Sequence, residues 1–167
     1  SMNKNFDVAI VGAGPAGLYC AYKLITENKN LKIIVFEQGR EIDNRKCPAI
    51  KQNKSCLHCN NCAIMSGIAG AGAFSDGKFP ITNDFGGSLW EKCGKDEALI
   101  YMNEVDQLNK KFFDEKSRGS PYTWPKMYMS WNSPYKKICT QHNLHLLNAN
   151  IRHLGTDISQ LVFRQLF

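Results

Sequence analysis

The residues best suited to chemistry near the start of the chain are the glycines of residues 12–17, which read Gly-Ala-Gly-Pro-Ala-Gly, and Glu37. Gly12 permits a tight turn, Gly14 lets backbone come close to a pyrophosphate, and Gly17 allows close packing of a following helix. Amide groups at the start of a helix attract anions, and a carboxylate accepts hydrogen bonds from hydroxyl groups. The glycine turn and the acid are therefore suited to holding a phosphate group and a sugar.

Two strands and a helix must position these residues. Residues 6–11 and 31–36 are short apolar runs rich in β-branched side chains, which is typical of strands buried on both faces. From Leu18 onward, apolar residues recur every three or four positions, which predicts a helix. Glu37 closes the second run, twenty positions after the last glycine of the turn. This order is the dinucleotide-binding fingerprint, which places the pyrophosphate at the glycine turn and the ribose hydroxyls on Glu37.

Length and composition are those of an ordinary globular domain. The chain has 167 residues, of which 43% are hydrophobic and 22% are charged. The net charge of +6 comes from scattered Lys and Arg, so we expect a mildly basic surface and no nucleic-acid partner. Asp7, the glycines and Pro15 interrupt the apolar start of the chain, which argues against a signal peptide or membrane span. We therefore expect a cytoplasmic protein without a membrane partner.

Periodicity and turn residues predict the later elements. They are an amphipathic helix over residues 96–113, an ordered loop over 117–131, a helix capped by Ser133 and running to about residue 143, a third parallel strand within 144–151, and a last helix capped by Asp157. The expected fold class is α/β, with a Rossmann-like parallel sheet flanked by helices and joined by right-handed crossovers.

A second stretch suited to chemistry is residues 70–78, which read Gly-Ala-Gly-Ala-Phe-Ser-Asp-Gly-Lys. Side chains this small let a flat ring lie against the backbone, and successive amides in such a turn form an anion-binding nest. Lys78 is suited to stabilising the negative charge on a flavin that accepts a hydride. The alternative is a tight glycine turn that ends in a solvated lysine.

The third group consists of cysteines. Four of the seven lie within sixteen positions, namely Cys47, Cys56, Cys59 and Cys62. In a reducing compartment this clustering favours thiols or a metal over a disulfide framework. Three interpretations stay open: zinc or an iron–sulfur cluster on four thiolates, a redox-active dithiol that passes electrons to a flavin, and reduced thiols in a flexible loop. His58 is expected to be a bystander.

Taken together, the motifs resemble a known family. The chain combines the glycine turn and Glu37 with Arg-Lys-Cys-Pro at residues 45–48, Cys-x-x-Cys-x-x-Cys at 56–62, the stretch 70–78, and His-Leu-Gly-Thr-Asp at 153–157. From about residue 6 to residue 157 it resembles the amino-terminal part of the FAD-dependent, NAD(FAD)-utilising dehydrogenases. The sequence of residues 12–18 and 37–40 likewise resembles that of FAD-binding two-dinucleotide flavoproteins.

The resemblance implies bound FAD and oxidoreductase chemistry on an unidentified small-molecule substrate, with NAD(P)H as a candidate electron donor. It implies a Rossmann-like FAD/NAD(P)-binding domain over residues 6–151 that contains a Cys-rich loop at 47–62. Residues 152–167 would begin a following segment, cut short, because members of the family continue with a carboxy-terminal Gly-Asp segment that returns to the first domain. Ala69 stands where the family leads us to expect a glycine, which predicts a less close approach of backbone to flavin.

The cofactor contacts follow from the fingerprint, the small-residue stretch and the resemblance. They are Gly12, Gly14, Pro15, Ala16, Gly17, Glu37, Gln38, Gly39, Arg40, Ser75, Asp76, Gly77 and Lys78. No catalytic base is assigned. Two alternative functions remain: an NAD-dependent dehydrogenase without flavin, and a non-enzymatic zinc-binding module on a dinucleotide-binding fold.

Overall fold

The computed structural model describes residues 5–167, which form a mixed α/β protein. In chain order the elements are β1 (Val8–Val11), α1 (Pro15–Glu27), β2 (Ile33–Phe36), a 3-10 helix (Ile42–Asn44), α2 (Pro48–Lys51), a second 3-10 helix (Gly70–Phe74), β3 (Lys78–Ile81), α3 (Leu89–Cys93), α4 (Lys95–Lys116), β4 (Met127–Met129), α5 (Tyr135–Gln141), β5 (Asn150–His153) and α6 (Gly155–Leu166).

The predicted strand–helix–strand unit at the start of the chain is confirmed, but the prediction that its strands are buried on both faces is wrong, because Val11 and Phe36 are exposed. β1 and β2 pair in parallel, with Val8 opposite Ile33 and Val11 opposite Phe36. Helix α1 connects them and begins at Pro15, three residues earlier than the apolar periodicity indicates. Proline suits this first helical position because its φ is already helical and its missing N–H has no partner to lose.

The prediction of a third parallel strand within residues 144–151 is wrong. The strand there is β5, which begins only at Asn150 and lies in a separate three-stranded sheet of order β3-β5-β4. It pairs antiparallel with both neighbours, with Ile151 opposite Pro80 and Tyr128. β3 and β4 were not predicted, because β3 contains Lys78 and Pro80 and β4 has only three residues. Pro80 is tolerated in β3 because this strand is at a sheet edge.

Most helices are close to their predicted positions, with small differences at the ends. The 96–113 helix is α4, which extends from Lys95 to Lys116, and the helix after Ser133 is the shorter α5. Asp157 lies in the first turn of α6 and does not precede it, since α6 begins at Gly155. None of the helices in the described part of the chain is long and apolar enough to cross a membrane.

The described residues form two compact units. The first contains the residues up to Ser75 together with Ser159–Phe167, and the second is Asp76–Ile158. The core of the first unit combines the start of α1, the small-residue stretch and α6. Its buried side chains are Ala13, Leu18, Ile42, Ile68, Ala69, Ala73 and Phe163.

In the second unit, helix α4 packs next to β3 of the antiparallel sheet, and its Ala98, Phe112 and Phe113 are buried. An ion pair joins α4 to β5, because Arg152 on β5 donates to both carboxylate oxygens of Asp106 on α4, at 2.9 and 2.7 Å. The hydrogen bonds from Arg152 to Asp106 and the negative charge of Asp106 raise the pKa of Arg152 against the opposing effect of burial, so the guanidinium stays charged.

Candidate dinucleotide-binding site

The glycine turn of residues 12–17 joins the end of β1 to the start of α1. Gly12 has a φ of +95°, a backbone conformation that favours glycine, and its amide donates to the carbonyl of Phe36 at 2.7 Å. Gly14 is the N-cap of α1 and Pro15 is its first residue. The first-turn amides of a helix have no partner within it, so this end of α1 is suited to binding an anion.

The space available for a side chain differs between Gly14 and Gly17. A Cβ atom placed on Gly14 would meet no atom within 4 Å, so the space beside it is open. A Cβ atom on Gly17 would overlap the carbonyl oxygen of Gly12 and lie 3.3 Å from a methyl group of Ile10. Gly17 therefore lets α1 pack closely on β1, whereas the open side of Gly14 fits the approach of a pyrophosphate.

Glu37 follows β2, and its carboxylate lies against the glycine turn. One oxygen, Oε2, accepts from the amide of Ala13 at 2.8 Å, and the other, Oε1, accepts from the amide of Gly39 at 2.8 Å. Each carboxylate oxygen has a second lone pair, so both can accept a further hydrogen bond from a hydroxyl group. The acid predicted from sequence is thus beside the turn, at the start of the segment Gln38, Gly39 and Arg40.

Competing effects set the charge state of Glu37. Its partial burial acts to raise the pKa, but the hydrogen bonds from the amides of Gly39 and Ala13 and the charge of Arg45 together hold the pKa below its ordinary value. The hydrogen bonds and the positive charge favour the ionised form. Glu37 is therefore an anion at neutral pH.

Arg45 supports the site, although the sequence analysis assigned it no role of its own. Its side chain is buried, with 3% of the residue exposed, and its guanidinium donates to four backbone carbonyls at 2.6–2.8 Å. Those carbonyls belong to Ala63, Ile64, Ile68 and Gly70. The sequence does not show that Arg45 is buried and its neighbours Arg40 and Lys46 are not, because the burial of Arg45 depends on the fold of residues 63–70.

Residues 63–70 in turn support the glycine turn. The amide of Ala69 donates to the carbonyl of Ala13 at 2.7 Å, and a Cβ atom on Gly70 would lie 3.3 Å from the Cα of Gly14. Ala69 has a φ of +67° and is fully buried. The left-handed conformation explains why glycine is expected at position 69, since it costs an alanine about 1–2 kcal/mol.

The predicted flavin contacts of residues 75–78 lie at the end of the small-residue stretch. Ser75 is the C-cap of the second 3-10 helix, and its hydroxyl donates to the carbonyl of Gly72 at 3.1 Å. In the second unit, Lys78 forms an ion pair of 2.7 Å with Asp76, which lowers the pKa of that carboxyl group. The strand register places His153 opposite Lys78, an arrangement that the sequence analysis did not predict. The flavin contact itself stays a prediction.

The structure does not support the predicted zinc or iron–sulfur centre on Cys47, Cys56, Cys59 and Cys62. In residues 5–167, no group of three or more His, Cys, Asp or Glu side chains is placed to hold a metal ion. The four cysteines are free thiols: Cys47 precedes the short helix α2, and the other three follow in a segment without helix or strand. Close spacing in sequence therefore does not bring the sulfur atoms together around one point.

The parallel strands, the glycine turn and the acid at the end of β2 define a dinucleotide-binding α/β domain. Comparison with known families agrees: residues 6–120 match the family described as pyridine nucleotide-disulphide oxidoreductase, and the chain belongs to that family. The FAD/NAD-binding character implied by the resemblance is thereby confirmed at the level of the family.

Similarity to individual proteins is much more local. Thiamine thiazole synthase from Coprinopsis cinerea is 61% identical over 33 residues, which are 20% of this chain and 10% of that protein. The matched segment therefore spans only a tenth of the relative's length. No solved structure matches the chain significantly.

Proposed function

We propose that the chain binds FAD and serves as the cofactor-binding part of an oxidoreductase that acts on a small molecule. The observation that carries the proposal is the carboxylate of Glu37, held by the amides of Ala13 and Gly39 beside the glycine turn. In this arrangement Glu37 accepts the hydroxyls of the adenosine ribose. The pyrophosphate then lies at the N-terminus of α1, against the open side of Gly14.

The flavin supplies the hydride chemistry when bound, and the protein supplies position and charge. Glu37 fixes the ribose, and the first turn of α1 balances part of the phosphate charge. Lys78 is the proposed source of positive charge for the reduced ring, and Ser75, Asp76 and Gly77 are proposed to contact it through small side chains and backbone. NAD(P)H is the proposed electron donor.

Titration with FAD, followed by flavin fluorescence, tests the proposal in the Glu37→Gln variant. We expect the variant to bind FAD more weakly by about 1.5–3 kcal/mol, because a charged acceptor of two hydroxyls is lost. Glu41→Gln is the matched control, since Glu41 is exposed and makes no capping hydrogen bond. Thermal unfolding of both variants separates a binding defect from a folding defect.

Two results would contradict the proposal. Equal FAD affinity of the two variants would mean that Glu37 does not hold the ribose. Binding of NAD without binding of FAD by the unmodified protein would favour the alternative of an NAD-dependent dehydrogenase without flavin.

A further inference from the structure

The second unit contains a pocket of about 620 Å³ on its antiparallel sheet. Tyr128 on β4 lies opposite Ile151 on β5, and both side chains line the pocket. The next residue of β5, Arg152, contacts Asp106 on α4. Because successive side chains of a strand point to opposite faces, Ile151 and Tyr128 lie on the face turned away from α4. The pocket volume is within the range of about 300–1,000 Å³ that is usual for small-molecule sites.

Large apolar and aromatic side chains dominate the lining of this pocket. Tyr128, Met129 and Tyr135 are all about two-thirds exposed, and Phe85 and Leu147 are exposed as well. A cluster of exposed apolar side chains marks a surface that binds another molecule. Tyrosine rings offer flat faces to an aromatic ligand and a hydroxyl group to its polar edge. The lining therefore suits a flat aromatic molecule.

Hydrogen bonds hold two walls of the pocket together. The hydroxyl group of Ser130 donates to the carbonyl of Leu147 at 2.6 Å and accepts from the amide of Ala149 at 2.8 Å. The amide of Ser130 donates to the carbonyl of Ala149 at 3.0 Å. The segment of residues 145–149 is thus fixed against the end of β4, so the chain itself builds the concave shape.

The sequence that forms the pocket is basic. Residues 116–156 supply every lining residue except Phe85. This stretch contains six Lys or Arg residues and three histidines, and it contains no Asp or Glu. Of these residues, Arg152 is paired with Asp106, and His145 lines the pocket itself. The excess of positive charge favours an anionic ligand.

Lys136 on α5 connects two parts of the lining. It follows Tyr135, and its ammonium group donates to the side-chain oxygen of Asn148, which lies between Leu147 and Ala149. A side-chain amide is neutral, so this hydrogen bond does not compensate the charge. Among the described residues, no carboxylate forms an ion pair with Lys136. Lys136 is therefore suited to balancing a negative charge at the edge of the pocket.

We propose that this pocket binds a small aromatic anion, with its ring against the tyrosines and its acid group near Lys136 and His145. A neutral aromatic molecule would gain only the apolar contacts, whereas an anion also gains charge-assisted hydrogen bonds. The inference goes beyond the proposed function, because it concerns the second unit alone and the binding needs no flavin.

A matched pair of probes tests the preference for an anion. Naphthoate and naphthamide have the same ring system, but only naphthoate is charged at neutral pH. We expect isothermal titration calorimetry to give a Kd for naphthoate roughly tenfold or more below the Kd for naphthamide. Equal affinities, or no binding of naphthoate at millimolar concentration, would overturn the proposal.

Two neighbouring lysines separate charge from packing. We expect Lys136→Met to raise the Kd for naphthoate roughly tenfold and to leave the Kd for naphthamide unchanged, because only the anion uses the charge. Lys137→Met is the matched control, since Lys137 is the exposed next residue of α5. Equal weakening of both probes by Lys136→Met would show that Lys136 only maintains the shape of the pocket, which overturns the anion site.

Replacement of a tyrosine tests the location of the site. We expect Tyr128→Ser to raise the Kd for both probes roughly fivefold or more, because both stack on this ring. Tyr101→Ser is the control, since Tyr101 is exposed on α4 and does not line the pocket. Unchanged affinities in Tyr128→Ser would place the binding elsewhere. A dimer that Tyr128→Ser converts to a monomer in sedimentation would show that a second copy covers the pocket. Either result overturns the proposal.

Discussion

Gly14 and Gly17 are three positions apart in one turn, yet the absence of a side chain has a different purpose at each. Gly14 has a φ in the ordinary negative range and open space beside it, so the fold itself does not require glycine there. Gly17 has the carbonyl of Gly12 where its Cβ would be. At the scale of residues, Gly14 is the proposed contact of the ligand, and Gly17 allows the close packing of α1.

Alanine substitutions separate the two purposes. We expect Gly17→Ala to destabilise the protein by about 3 kcal/mol or more, because the new methyl group overlaps backbone that cannot move without displacing α1 from β1. Gly14→Ala is expected to leave the unfolding midpoint almost unchanged and to weaken FAD binding. Chemical denaturation and FAD titration of both variants measure the two effects. Normal FAD affinity of Gly14→Ala would place the pyrophosphate elsewhere.

Glu37 and Arg45 show which site residues a sequence reveals. Glu37 is recognisable because it has a fixed place, the end of the second strand, at a fixed distance from a glycine turn. Arg45 acts on the carbonyls of residues 63–70, and this contact exists only after an irregular segment has folded around it. Local spacing cannot encode such a contact, so the supporting residue was missed.

At the scale of elements, the segment of residues 63–70 behaves as a support for the glycine turn. It has no repeating backbone hydrogen bonds of its own before the second 3-10 helix, and Arg45 supplies the donors for its carbonyls. The same segment then donates to Ala13 through Ala69. One side chain therefore stabilises an irregular segment, and that segment stabilises the glycine turn.

Replacement of Arg45 tests whether its hydrogen bonds support residues 63–70 and, through them, the glycine turn. We expect Arg45→Met to lower the free energy of unfolding by about 3 kcal/mol, because buried carbonyls lose their donors at a cost of about 1–3 kcal/mol each. FAD affinity should fall with it, since the turn loses its support. Arg118→Met is the control, because Arg118 is exposed in the second unit. Equal denaturation curves for the two variants would show that the segment is held by other contacts.

The elements themselves were predicted unevenly, for physical reasons. β1 and β2 lie in continuous apolar runs, and α1 and α4 have apolar residues at helical spacing, so the sequence locates these four elements within a few positions. β3 and β4 lie in no such run, and β5 follows six irregular residues that look equally apolar. The third strand was wrongly predicted to pair in parallel because its antiparallel neighbours, β3 and β4, were not recognised in the sequence.

At the scale of the whole molecule, the first unit is assembled from stretches that are distant in the sequence. Phe163 on α6 is 1% exposed and joins the core formed by Leu18, Ala69 and Ala73. Its ring also lies where a Cβ atom on Gly72 would contact it, next to the ring of Pro15. The last helix therefore contributes to the packing behind the glycine turn.

Truncation of Phe163 is expected to affect the entire first unit. Phe163→Ala should lower the free energy of unfolding by about 3–5 kcal/mol, because it removes a large buried side chain and leaves a cavity. Phe167→Ala is the matched control, since Phe167 is 66% exposed four positions further along. Urea denaturation followed by circular dichroism measures both. A difference below about 1 kcal/mol between them would contradict the role given to Phe163.

The position of Phe163 also has a consequence for biosynthesis. A ribosome delivers the strands and the glycine turn first, but the aromatic ring that fills the space behind Pro15 and Gly72 emerges more than one hundred residues later. During that interval the nascent nucleotide-binding unit lacks part of its core and exposes apolar surface. The packing of the first unit can therefore be completed only after α6 has been synthesised.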